Sequence, residues 1–331
     1  MSLMINGKLK DDWFEEQHDD GEYIRKDSQF RNWITKEGNA GCSGEAGFKA
    51  EANRYHLYVS YACPWANRTL IFRQLKQLQD IISFSVVHPD MGEAGWQFAS
   101  FPGATVDHVN RCDFMHQVYT LAQPRYSGVV TVPVLWDKQR QVIVNNESSE
   151  IIRMFNHAFN DLTGNTDDYY PQALRHDIDA INERIYEHVN NGVYRAGFAT
   201  TQAAYESAFD QLFAVLDELE GLLSSSRYLI GDQITEADWR LFVTLIRFDA
   251  VYVGHFKCNL RRISDYPNLS NYVRELYQWP GVAKTVNMQH IKRHYYMSHT
   301  DINPTSIIPK GPAVDFTLPH DRHRFEEQGH E

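Results

Sequence analysis

Residues 54–60 read RYHLYVS, apolar and polar side chains alternating among β-branched and aromatic types, a pattern that predicts a strand. Leu70, Ile71, Leu75 and Leu78 then recur at helical spacing and predict an amphipathic helix over 68–79. Residues 82–87 (ISFSVV) predict a second strand. Strand–helix–strand at this length predicts that the two strands are parallel. The stretch 88–128 is irregular, and one so long is expected to be functional or to hold short elements of its own. The strand pattern resumes at 131–137 (TVPVLWD) and 141–146 (QVIVNN), whose short join predicts an antiparallel hairpin. Pro133 cannot donate to a ladder and belongs at an edge or a special turn. Ile151, Ile152, Met154 and Phe155 predict the buried face of a helix begun by Glu147 and Ser148.

The second half is helical in pattern. Helices are predicted near 176–190, 202–224, 236–250, 267–277 and 281–295. The sharpest signal is LIGDQITEADWRLF, where Thr235 and Asp238 form a capping-box pair and Ile234 and Trp239 stand as its staple. Between the halves DLTGNTDDYYP reads as a linker. Residues 1–50 are polar and broken by glycine, with 38–47 loop-like and Trp13, Phe14, Phe30 and Trp33 expected to pin the segment to the body. The expected division is an extension (1–50), an α/β domain (51–160), an all-α domain (168–300) and an irregular tail (301–331).

Composition narrows the class. A chain of 331 residues suits two domains, and 43% hydrophobic with 23% charged residues is the balance of a soluble globular protein. The net charge of −11 argues against nucleic acid or an anionic membrane as partner. The first residues lack the apolar core of a signal peptide and no run reaches membrane-spanning length. With few cysteines besides, the expected compartment is a reducing cytoplasm.

The candidate chemistry centres on Cys63, in SYACPWANRTLIF between the predicted strand and helix. Pro64 suits a first helical turn. Unpaired amides and the positive end of the helix dipole favour a thiolate there, so Cys63 is expected to be ionised at neutral pH. A buried structural cysteine is the plainer reading, but Cys-Pro-aromatic between strand and helix outweighs it. A dithiol site needs a second cysteine three residues on, and that position is Ala66; Cys42, Cys112 and Cys258 show no pairing pattern. A monothiol passes its oxidised form to an outside thiol, for which glutathione is the obvious candidate. His290 and His294 have a metal-compatible spacing but no further ligand pattern, and read as surface or packing residues.

Strand–helix–strand, hairpin, helix is the thioredoxin-like order. In that fold the proline before the third strand is cis and lies beside the reactive cysteine. The residue before it, Val132, offers backbone groups to a peptide-like ligand. Glu147 and Ser148 at a helix start suit an α-carboxylate. A helical domain appended to such a domain is the glutathione-transferase architecture.

ACPWANR, TVPVLWD, NNESSEIIRMFN, GVYRAGFA, YLIGDQITEADWRLF, VYVGHFKCN and IKRHYYMSHTDINP together resemble the glutathionyl-hydroquinone reductases, the Xi class of glutathione transferases, in register over most of the chain. The resemblance implies reduction of glutathionyl-hydroquinones, with glutathione as co-substrate and no metal. Cys63 would form a mixed disulfide with glutathione while Tyr194 protonates the departing ring carbon. Tyr252 and Tyr295 would hydrogen-bond the thiolate, with Tyr296 as the neighbour competing for the last role. Trp96, Val132, Glu147 and Ser148 match glutathione-binding positions, and a homodimer is implied. An Omega-like thioltransferase or dehydroascorbate reductase would use the same Cys63 without the tyrosines. A non-catalytic binding module would have no use for the Cys-Pro-Trp site.

Overall fold

A computed structural model describes residues 2–10 and 20–325. Two short strand pairs open the chain: β1 (Ser2–Ile5) with β2 (Lys8–Lys10), antiparallel, and β3 (Trp33–Thr35) with β4 (Gly47–Lys49), parallel. The loop-like composition of this region did not predict them. Strands of three or four residues carry too little periodicity to read, and these rest on tertiary pairing. Phe30 and Trp33 do pack against the core, as expected. Trp13 and Phe14 lie outside the described residues.

The main sheet has the predicted order. β5 (Tyr55–Val59), α1 (Pro64–Leu75) and β6 (Ser83–Val86) make the parallel crossover. The irregular stretch contains α2 (Met115–Ala122), and β7 (Gly128–Val130) at its end pairs with β1. β8 (Val134–Asp137) and β9 (Val142–Asn145) form the hairpin, and the strands stand in the order β6-β5-β8-β9. α3 (Ser148–His157) buries Ile151, Ile152, Met154 and Phe155 and packs beside α1.

All five residues of β5 are buried, so its alternation does not separate inside from outside. It separates apolar side chains from polar ones with partners. His56 Nδ1 and Nε2 lie 2.7 and 2.9 Å from the Ser83 and Ser85 hydroxyls. Tyr58 donates to Asp107 Oδ1 at 2.9 Å. Burying these groups is tolerable because each has its hydrogen bond.

α4 (Asn160–Thr163) occupies the linker. α5 (Arg175–Ile185) runs into a π-helical turn at Tyr186–Asn190, and α6 (Gly192–Gly197) and α7 (Gln202–Ser225) come after it. α8 (Glu236–Arg247) starts with the predicted capping box, the Thr235 N–H donating to Asp238 Oδ2 at 2.7 Å. It too passes into a π turn, Phe248–Tyr252. α9 (Pro267–Gln278) and α10 (Met288–Ser298) complete the set. The single helix predicted over 281–295 is broken. Val282–Thr285 forms a 3₁₀ turn, and Asn287 starts α10 afresh, its side chain accepting the His290 N–H at 3.1 Å. Each π turn adds a residue and rotates the helix beyond it by about 100°. The two turns lie just before Tyr194 and at Tyr252, and set the directions of both.

Candidate active site

Cys63 is the N-cap of α1 and Pro64 its first residue. The Cys63 amide donates to Ser60 O at 3.3 Å, which curls the loop leaving β5, and the thiol donates to Val132 O at 3.4 Å. The Val132–Pro133 peptide is cis, as the fold order predicts. Cys63, Trp96, Val132, Tyr194 and Tyr295 share one open cavity.

Tyr194 Oη lies 2.6 Å from Tyr295 Oη, and Tyr252 Oη lies 3.1 Å from the same atom. Tyr252 is fully buried behind Tyr295. Tyr296 is turned away, its hydroxyl reaching Ala250 O at 3.4 Å, so Tyr295 is the one of the pair that faces the thiol. Phe256 holds the cluster together, its ring centroid 5.5 Å from those of Tyr194 and Tyr252 and 5.7 Å from that of Tyr295. Gly197 makes room for it, since a Cβ there would stand 2.2 Å from the Phe256 ring. Burial pushes the phenols of Tyr194 and Tyr295 well above the ordinary tyrosine range and that of Tyr252 up to about 12. All three carry their protons at neutral pH. Their hydrogen bonds run among themselves, whereas the expectation had Tyr252 and Tyr295 bonded to sulfur.

The expected ionisation of the thiol is opposed by its surroundings. Burial pushes the Cys63 thiol up. The amides of Ala66 and Trp65 and the cations Arg25 and Arg247 pull it down without overcoming burial. A helix start favours a thiolate, and partial enclosure of the half-buried sulfur by the cavity wall works against it. The thiolate fraction of a group below its pKa grows about tenfold per pH unit. Alkylation of the ligand-free protein by iodoacetamide is therefore expected to keep climbing with pH beyond about 9. A plateau below about pH 8 would contradict this.

Glu147 and Ser148 stand at the start of α3, beside the cavity and outside its wall. Burial pushes the Glu147 carboxyl up, but Arg25, the Ser149 amide and hydroxyl, and Arg68 together hold it below its usual range. Ser148 Oγ accepts from Arg68 Nη1 at 3.3 Å. Arg68 and Arg25 both stack on Trp65, 4.5 and 4.1 Å from the ring centroid, which ties the Cys-Pro-Trp segment to the α3 start.

Sequence reasoning missed what the extension contributes. Thr200 N–H donates to Gly21 O at 3.0 Å, and Ser28 Oγ donates to Glu147 Oε2 at 3.1 Å. The segment between crosses from the helical half to the start of α3 and puts Tyr23 and Arg25 into the cavity wall. His294 and His299 were also missed as wall residues. His294 stacks on Trp96 at 4.6 Å with Nδ1 2.9 Å from Pro89 O, and His299 Nδ1 lies 3.1 Å from His255 Nε2. Burial lowers the His294 pKa to about 4 and holds that of His299 well below the ordinary imidazole range, so both present uncharged rings. His294 is a packing residue, as the sequence suggested, but not a surface one.

Residues 62–158 match the family model described as glutathione S-transferase, N-terminal domain, and 202–275 match glutathione S-transferase, C-terminal domain. The glutathionyl-hydroquinone reductase YqjG of Escherichia coli K12 is 55% identical over 323 residues, 97% of this chain and 98% of the relative. Its glutathione-bound structure superposes with a TM-score of 0.87 at 58% identity, covering 88% of this chain and 96% of that one. The glutathionyl-hydroquinone reductase PcpF of Sphingobium chlorophenolicum is 53% identical over 95% of this chain and 97% of the relative. A Xi class glutathione transferase from Natrialba magadii has a TM-score of 0.91 at 47% identity, covering 98% of both chains.

Proposed function

The chain belongs to the glutathionyl-hydroquinone reductases, the Xi class of the glutathione transferases, and on that premise we propose how its residues share the reaction. The overall chemistry is the glutathione-dependent reduction of a glutathionyl-hydroquinone to the hydroquinone, with release of oxidised glutathione. Cys63 thiolate attacks the glutathionyl sulfur, forming a sulfur–sulfur bond while the sulfur–carbon bond breaks. The electron pair stays on the ring carbon, and Tyr194 supplies the proton that makes this carbon a leaving group. The phenolate so formed is hydrogen-bonded by Tyr295, which Tyr252 in turn supports. A second glutathione attacks the Cys63–glutathione disulfide, giving oxidised glutathione and the free thiol. A thiol of high pKa is scarce as thiolate but intrinsically more nucleophilic once ionised.

Glutathione is assigned to Val132 for its backbone, Trp96 for a flat wall, and Glu147 with Ser148 for its γ-glutamyl end. The observation that carries the reading is a lone thiol sharing its cavity with mutually bonded, fully protonated phenols. An Omega-like thioltransferase would need the thiol alone. The test is turnover of glutathionyl-menadiol with glutathione, scoring menadiol and oxidised glutathione in equal amounts. Exchange of a simple glutathione mixed disulfide without hydroquinone release would leave the thioltransferase standing instead.

The same reading includes a homodimer in a reducing cytoplasm. The described cysteines are all unpaired, which fits a compartment rich in glutathione. Light scattering at micromolar concentration is expected to give twice the chain mass; the mass of one chain would remove the dimer.

A further inference from the structure

Arg247 ends α8, and its guanidinium is wholly buried beneath the loop that carries the thiol. Nε donates to Ala62 O and Nη2 to Tyr61 O, both at 2.9 Å, and Nη1 donates to Asn67 Oδ1 at 3.0 Å and Val243 O at 2.8 Å. Each acceptor is neutral, and among the described residues no carboxylate pairs with this cation. Arg68 is likewise buried among neutral acceptors, Ser148 Oγ, Asn190 Oδ1 and Arg240 O, whereas two other buried arginines do have a carboxylate. Arg54 meets Asp137 at 2.5 Å, and Arg240 meets Glu236 at 3.4 Å. A buried charge normally needs such a partner, because leaving water is costly. Arg247 stands without one beneath the loop where the proposed reaction needs a thiolate.

We propose that Arg247 is a positioning residue, holding the 61–63 loop and serving as the fixed counter-charge for the Cys63 thiolate. The inference rests on the reading of Cys63 as nucleophile. Its field favours the ionised forms of Cys63, Tyr252 and Tyr295, against the burial that raises all three. The other groups around the sulfur are Arg25 and Tyr23 from the extension, Tyr194 on α6, Tyr295 and His294 on α10 and His299 beyond it, all in the cavity wall, with Tyr252 buried behind Tyr295. The imidazoles are uncharged and the phenols protonated. Arg25 is thus the other cation acting on the thiol among the described residues, and it is half-exposed. Salt screens an exposed charge far more than a buried one, which separates the two.

The experiment compares Arg247→Gln, Arg247→Met and Arg247→Lys with the unsubstituted protein. Iodoacetamide alkylation of Cys63 is measured against pH at low and high salt, with thermal melts to establish folding. Both neutral variants are expected to shift the profile up by about one pH unit, which is about tenfold slower alkylation at about pH 8, and equally at high salt. Arg247→Lys is expected to regain most of that rate. Turnover of glutathionyl-menadiol should fall in kcat with little change in KM.

A folded neutral variant with the unsubstituted profile would overturn the proposal. So would a lysine variant as slow as the neutral ones, since that would make the effect one of loop geometry alone. If neither neutral variant folds and the lysine variant does, the charge serves the fold and the proposal also falls. Mapping the alkylated residue by mass keeps the underlying reading separate. A label that misses Cys63, or turnover that survives Cys63→Ser, would refute the nucleophile assignment whatever Arg247 does.

Discussion

Cys63→Ser is expected to leave the fold intact and to lower kcat/KM on the order of 10⁴–10⁶-fold, the scale seen when a covalent nucleophile is removed. The loss should fall equally on a glutathionyl-hydroquinone and on a small glutathione mixed disulfide, because both reactions pass through the Cys63–glutathione disulfide. Serine keeps the size of the side chain and its hydrogen bond to Val132 O, so stability should change by no more than about 1 kcal/mol. What it lacks is an accessible anion. A hydroxyl needs a strong base beside it to attack sulfur, and the imidazoles in the wall, His294 and His299, are made weak bases by burial. Cys63→Ala should be no more active. The measurement is steady-state turnover of both substrates, with melting temperature as the folding control. Activity within about tenfold of the unsubstituted protein would mean that bound glutathione attacks the substrate directly and Cys63 is dispensable.

The parts of this site that could be read from the chain share one property: their signal is local. Pro64 after a strand pattern marks the start of α1, and the short join between β8 and β9 marks their hairpin. Thr235 and Asp238 satisfy each other within one turn, so the start of α8 is legible from four residues. Tyr23 and Arg25 left no such mark. They lie in polar sequence without periodicity and reach the cavity only because Gly21 and Ser28 are tied to opposite halves of the molecule. The π turns were hidden for a related reason, since a helical pattern read at a constant period cannot register one inserted residue. For Cys63 the helix start that favours a thiolate is visible in the sequence, whereas the partial enclosure that opposes it is tertiary. Arg247 escaped notice as one more cation on an amphipathic helix, and its lack of a carboxylate partner became evident only with the neighbours in place.

Tyr194→Phe separates the two chemistries that share Cys63. Breaking a sulfur–carbon bond leaves charge on a ring carbon, and such a carbon departs only if a proton arrives as the bond breaks. Loss of a general acid typically lowers the rate by about 10²–10⁴-fold, so reduction of glutathionyl-menadiol should slow by that much. Exchange with a small glutathione mixed disulfide should be nearly unchanged, because its leaving group is a thiolate and needs no such proton. The substitution removes one hydroxyl and its 2.6 Å contact with Tyr295 while the ring keeps its packing on Phe198 and Phe256. The cavity should therefore keep its shape. Burial holds the Tyr194 proton on oxygen well beyond neutral pH, so the acid is fully charged with its proton throughout the working range. The measurement is kcat/KM for both substrates in the two proteins. Equal losses on both would mean that Tyr194 shapes the cavity without donating. No loss on either would pass the proton to Tyr295, which faces the same space and is already hydrogen-bonded to Tyr252. In that event Tyr295→Phe should show the substrate-selective loss, and the phenolate that forms would lie within the field of Arg247, which acts on Tyr252 and Tyr295.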